Sequence, residues 1–138
     1  MRQIAATLIL LLLAPAAPAD TGTLIVEVRG LEFNTGKLRF AVFDSDENFF
    51  KEAVAYGDLD VVDSGGTWVV TDLPFGTYAV TVHHDVNDNG EMEQHWYGKP
   101  KEPTGASNNP SAKFGPPTFK KSKFDFTSAE LTLSVEVR

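Results

Sequence analysis

The sequence predicts an all-β protein: an antiparallel, immunoglobulin-like β-sandwich of about seven strands with one long proline-rich loop. Three observations carry this. Apolar and polar residues alternate with a period of two along several short runs. Turn residues punctuate those runs roughly every 8 to 12 positions. The 138 residues hold no cysteine, so a packed core must do what disulfides do in many small exported domains.

The first run, Thr23 to Arg29, puts Leu24, Val26 and Val28 on one side and Thr23, Ile25, Glu27 and Arg29 on the other. β-branched residues at that period make a half-buried strand. The same alternation returns at 37–43, with Leu38, Phe40 and Val42 inward, and at 131–137, with Leu131, Leu133, Val135 and Val137 inward. Further strands are predicted at 58–62, at 67–72 (Trp68 and Val70 inward), at 77–84 (Tyr78, Val80 and Val82 inward) and through Phe124 and Phe126. Asn34-Thr35-Gly36, Asp63-Ser64-Gly65-Gly66 and Leu73-Pro74-Phe75-Gly76 are the turns between them. Residues 46–55 alone have the composition for a helical turn or two.

One stretch exceeds a minimal sandwich. From Gly98 to Phe119 the chain holds five prolines and three glycines, in a connection longer than the roughly 12 to 15 residues that compact domains usually leave irregular. Trp96, Tyr97, Phe114 and Phe119 sit at or inside its ends, which predicts a loop pinned to the sandwich by aromatic side chains, its prolines reducing the entropy lost on ordering.

The amino terminus has a different character. Met1-Arg2-Gln3, an apolar run from Ile4 to Leu13 and then Ala14-Pro15-Ala16-Ala17-Pro18-Ala19 follow the order of a secretory signal peptide. The apolar run is half the roughly 20 residues a membrane-spanning helix needs. Residues 1–19 are therefore expected to be a signal peptide cleaved after Ala19. Residues 20–138 are expected to form a single domain in the periplasm or outside the cell, with no transmembrane segment. Arg2 is the only charge in the first 19 residues, which leaves 11 basic against 19 acidic side chains and a net charge of −8 in the remainder. Such a balance opposes nucleic acid and anionic membrane partners, which require a basic footprint, and suits cations or plain solubility.

The chemically informative segment follows the strand ending at His84. In Asp85-Val86-Asn87-Asp88-Asn89-Gly90-Glu91-Met92-Glu93, residues Asp85, Asn87, Asn89 and Gly90 fit D-x-[DN]-x-[DN]-G, the first half of a calcium loop. Alternate side-chain oxygens converge there on one hard cation, the glycine makes the sharp turn, and the next carbonyl, here that of Glu91, adds an oxygen. Position 12 is Trp96 instead of a bidentate glutamate, so the missing carboxylate has to come from Glu93 or from Glu102 across the long loop. The candidate Ca2+ ligands are thus Asp85, Asn87, Asn89, Glu91, Glu93 and Glu102. The plain alternative is a metal-free turn, because Asn-Gly is a strong hairpin signal and Asp and Asn side chains bond their own backbone.

Five segments together resemble a known family. They are Leu73-Pro74-Phe75-Gly76-Thr77-Tyr78-Ala79-Val80, His84 to Gly90, Gly98-Lys99-Pro100-Lys101-Glu102, Ser107-Asn108-Asn109 and Gly115-Pro116-Pro117-Thr118-Phe119. In this order they resemble the domain of unknown function 2141 family of bacterial exported proteins. The resemblance implies no defined activity, since that family has none established. The Leu73 to Val80 strand followed by His84-Asp85 is also similar to prealbumin-like and carboxypeptidase-regulatory domains, which are non-catalytic sandwich modules. Members are often lipid-anchored or fused to other modules; a chain without cysteine is expected to lack the lipid tether.

Other chemistries have thinner support. His83 and His84 are adjacent on a strand and point to opposite faces, and a zinc or copper site from His83, Asp85 and His95 lacks the usual spacing. Ser107, His83 and Asp85 are the only residues suited to a nucleophilic trio, with no Gly-x-Ser-x-Gly elbow beside them. Trp96 and Tyr97 suit an anchor for the long loop better than a carbohydrate platform. Asn109-Pro110-Ser111 carries the proline that excludes N-glycosylation. The expectation is an exported non-catalytic binding or structural module of unknown ligand, not an enzyme, with an envelope protein or a glycan as candidate partners. The alternatives are a metal-dependent or hydrolytic envelope enzyme and a glycan-binding module.

Overall fold

Period-two runs become strands throughout the computed structural model, which describes residues 20–92 and 102–138. The segment expected to be the signal peptide, and Glu93, His95, Trp96 and Tyr97, lie outside the described residues. The strands are β1 (Thr21–Val28), β2 (Lys37–Phe43), β3 (Ala55–Asp60), β4 (Gly66–Pro74), β5 (Gly76–Asp85), β6 (Thr104–Ala106), β7 (Phe124–Phe126) and β8 (Glu130–Ser134). A single-turn helix, α1 (Phe119–Ser122), precedes β7. One sheet has the order β4-β1-β8 and the other β3-β2-β5-β6, with β7 pairing the start of β5. The architecture is an all-β sandwich of two sheets, as the sequence predicts.

The inward residues are those the alternation picks out. Leu24, Val26, Val28, Leu38, Phe40, Val42, Tyr78, Val80 and Val82 are buried in one core, together with Trp68 and Phe126. Phe40 stacks on Trp68 with ring centroids 5.1 Å apart. Gly57 in β3 makes that stack fit, because a Cβ there would lie inside the Trp68 indole. Fully burying each such side chain contributes on the order of 1.5–3 kcal/mol, so these apolar strands supply most of the favourable folding energy.

Three features differ from the expectation. The sandwich is not wholly antiparallel, since β8 runs parallel to β1 from Thr23↔Glu130 to Glu27↔Ser134. Side-chain alternation is the same in both strand directions, so periodicity cannot distinguish them. There are eight strands rather than seven among the described residues, because β6 lies inside the proline-rich stretch and is too short to show a period. The proline-rich stretch is therefore only partly irregular: it holds β6, a 3-10 turn at Ala112–Phe114 and the start of α1.

A second apolar cluster lies on the opposite face of the five-stranded sheet. Phe43, Ala79, Ala106 and Phe119 are buried there, outside the main core. Phe49 rests edge-on against both Phe43 and Phe119. The small side chains of Ala79 and Ala106 leave room for these rings. Helix α1 begins at Thr118, whose side chain accepts a hydrogen bond from the Lys121 N–H, a usual N-cap arrangement, and buries Phe119 and Ser122. Thus Phe119 does pin the end of the long connection, as the sequence predicts.

Candidate functional site

Odd-numbered residues of β5 point away from the core, and this places His83 and Asp85 on the outer face of the five-stranded sheet. The strand register carries a polar row across that face: Asp58 on β3, Arg39 on β2, His83 on β5 and Thr104 on β6. Asp85 lies two residues beyond His83 in β5, opposite Lys37.

Arg39 is the centre of the cluster. Its Nη1 donates to Asp58 Oδ2 at 2.7 Å, its Nε to Asp85 Oδ2 at 3.0 Å and its Nη2 to Asp88 Oδ1 at 3.3 Å. Asp85 is fully buried and takes further hydrogen bonds from its own loop: the Asn89 N–H reaches Oδ1 at 3.2 Å and the Gly90 N–H reaches Oδ2 at 2.8 Å. Burial alone pushes the Asp85 pKa up. The bonds from Gly90, Arg39 and Asn89, with the Arg39 charge, outweigh that and hold it below the ordinary carboxylate value. In turn, the Asp85 hydrogen bond and the charges of Asp58 and Asp85 outweigh desolvation and raise the Arg39 pKa.

The loop closes back on Asp85 because two of its residues accept left-handed backbone conformations, Asp88 at φ 52° and Gly90 at φ 77°. Asn89 then turns its Oδ1 onto the Glu91 N–H at 2.9 Å. The far end of the long connection arrives at the same place. Glu102 accepts the Val86 N–H on Oε2 at 2.7 Å and faces His83 Nε2 with Oε1 at 3.2 Å. One carboxylate therefore ties residue 86 to residue 102.

The structure places Asp85, Asn89 and Glu102 at one end of the sheet, with Asn87 in the same turn, Glu91 on its exposed side and Glu93 outside the described residues. Among the described residues, no three His, Asp or Glu side chains are grouped to hold a metal ion. The carboxylate nearest to a calcium role already has a cation, the Arg39 guanidinium. Of its roughly four acceptor positions, three are used. Sequence reasoning missed Arg39, Asp58 and Asp88. Arg39 reads only as an outward charge on a core strand, and its link to Asp85 depends on a register that no local pattern encodes.

The remaining polar candidates hold structure. Ser107 is buried; its hydroxyl accepts the Val80 N–H at 2.9 Å and donates to the Ser122 carbonyl, joining β5 to α1. His84 is buried on the core side, with Nε2 donating to the Thr35 carbonyl at 2.7 Å. Asn108 and Asn109 both have positive φ, 66° and 48°. The Asn108 amide donates to the Lys121 and Lys123 carbonyls at the end of α1. Asn109 spans the Ser134 carbonyl and the Glu136 N–H. Ser107-Asn108-Asn109 is thus a three-residue clamp between β6, α1 and β8.

Fold and site together define an all-β sandwich whose polar end is an arginine-centred carboxylate cluster at the root of a long connection. The chain belongs to the family described as an uncharacterised protein conserved in bacteria, domain of unknown function 2141, whose model matches residues 26–134. No curated protein and no solved structure matches it.

Proposed function

We propose that this chain is an exported, non-catalytic module of the bacterial envelope, and that the Arg39 cluster is a structural latch that fixes the loop root at Val86 against Glu102 for binding. The composition of residues 1–19 supports export. The observation that carries the latch is the coordination of Asp85: it is fully buried, with Arg39 and two N–H groups of its own loop on its oxygens. A group so committed positions backbone and is poorly placed to exchange protons with a substrate. Ser107 is likewise engaged on both sides by main chain, which weighs against a hydrolytic reading.

A second reading keeps calcium in the loop. It is favoured by the ionised state of Asp85 and by the turn at Asp88 and Gly90, which gathers Asp85 and Asn89 in the order D-x-N-x-N-G. Melting Asp85→Ala and wild type in calcium and in chelator separates the two. The latch predicts a loss of about 1–3 kcal/mol in both media, since the Arg39 Nε and the Asn89 and Gly90 N–H groups lose their acceptor. The calcium reading predicts a loss in calcium only. For a site of about 10 μM affinity in about 1 mM calcium, that loss is roughly 2.7 kcal/mol. Calorimetric titration of chelator-stripped wild type then shows heat under the second reading and none under the first.

A further inference from the structure

Strands β3 and β4, each an edge strand of its own sheet, are joined by the turn that carries the Val62–Gly65 bridge. A cleft of about 470 Å3 opens there, lined by Arg29, Leu59, Asp60, Val62, Asp63 and the Gly65–Thr67 segment. Its volume falls within the roughly 300–1,000 Å3 of small-molecule sites. The turn that closes its end, Val62 to Gly65, has Asp63 and Ser64 both left-handed, at φ 53° and 56°. The Ser64 N–H is held by Asn34 Oδ1 at 2.8 Å. The cleft wall is therefore built, with its backbone fixed from behind.

Its charges are unusual. Arg29 donates Nη1 to the Val28 and Gly66 carbonyls and Nη2 to Thr67 Oγ1. Arg39 and Arg138 each pair with carboxylates. Among the described residues, Arg29 is the one arginine with no carboxylate within ion-pair distance, although Asp60 and Asp63 line the same cleft. Three of the five N–H donors of its guanidinium are committed, leaving two, the number that one carboxylate accepts in a fork. Asp63 has no ion pair either, while Asp60 is shared with Lys37 at 3.5 Å. A cation and an anion that face one cleft without touching each other are complementary to a ligand carrying both charges.

We propose that this cleft binds a zwitterionic amino compound, a free amino acid or short peptide, with its carboxylate on the two remaining donors of Arg29 and its ammonium on Asp63 and Asp60. Leu59 and Val62 supply the apolar wall for its side chains. The ligand site is separate from the Asp85 loop, so it stands or falls apart from the latch and the calcium reading.

Calorimetric titration with tri-alanine, tri-alanine amide and N-acetyl tri-alanine tests it. Tri-alanine is expected to bind with a Kd near 1 mM, and either blocked peptide about tenfold more weakly, the loss for one charge-assisted contact. Arg29→Gln should weaken tri-alanine about tenfold or more. Arg29→Lys, which keeps the charge but loses the fork, should fall between. Asp63→Asn, at a position whose left-handed backbone asparagine tolerates, should weaken binding several-fold with an unchanged melting temperature, which guards against a fold defect in the Arg29 variants. No heat at roughly 10 mM tri-alanine, equal binding of the amide, or an unaltered Asp63→Asn would overturn the proposal.

Discussion

Asp85 shows how one residue can be both desolvated and charged. Removal from water opposes ionisation, but three donors on its two oxygens more than offset this. Since its folded pKa lies below the unfolded value of about 3.9, the unfolded chain binds the proton more readily in that range. Its stabilising contribution is therefore complete above about pH 4 and disappears as the pH falls through the depressed folded value. Urea denaturation of wild type and Asp85→Asn from pH 7 downward should show a gap at neutrality that closes below about pH 4. A gap of constant size would mean that the carboxylate charge contributes nothing. A different kind of residue effect belongs to Gly57. Any side chain there meets the Trp68 ring, so Gly57→Ala is expected to cost about 1–3 kcal/mol by overpacking, read as a lower urea midpoint with an unchanged slope.

At the scale of elements, the Ser107-Asn108-Asn109 clamp decides how α1 and β8 are placed. The two asparagine side chains make four hydrogen bonds to main chain. Asn109→Gly keeps the left-handed backbone while removing two of the bonds, so it isolates them; the expected cost is about 1–3 kcal/mol, measured by thermal melting against Asn109→Asp, which keeps the acceptor. If Asn109→Gly melts with wild type, the clamp is not energetic. Their clamping role is not legible in the sequence, because a loop asparagine gives no local sign of which carbonyl it will reach. Strands β1, β2, β4 and β5, by contrast, are plain in the sequence, since each is long enough to repeat its alternation against a core. Strand β6, with the three residues Thr104–Ala106, has no such length. Its pairing with β5 comes from tertiary contact alone. The same limit applies to the site: Asp85, Asn89 and Glu102 stand out by residue type, whereas Arg39 joins them through the pairing of β2 with β5.

The whole molecule is a sandwich whose two sheets are joined differently at its two sides. On one side β3 and β4 meet at Gly57 and Trp68, and the cleft is confined to the turn between them. At the other side the chain leaves β8 beside β1, with the Val135 N–H on the Glu27 carbonyl, and crosses to the second sheet, where Arg138 and Thr104 exchange both backbone hydrogen bonds at 3.0 Å. That reciprocal exchange is the hydrogen-bonded pair of an antiparallel ladder, so the tail covers the outer edge of β6. Gly105 permits the close approach: a Cβ on it would collide with the Glu136 carbonyl. Uncovered edges template pairing with other chains, and this one adjoins Glu102, which holds the Val86 loop root. Deleting residues 136–138 removes the two Arg138 bonds and the Asn109 bond to the Glu136 N–H. The expected result is a loss of about 2–4 kcal/mol at about 1 kcal/mol per bond, faster amide exchange at Thr104 and Val86 but not within β1, and concentration-dependent self-association in sedimentation. Unchanged exchange at Thr104 and Val86 after deletion would mean that the sheet edge and the loop root are held by the β5 pairing alone, and that the tail merely lies upon them.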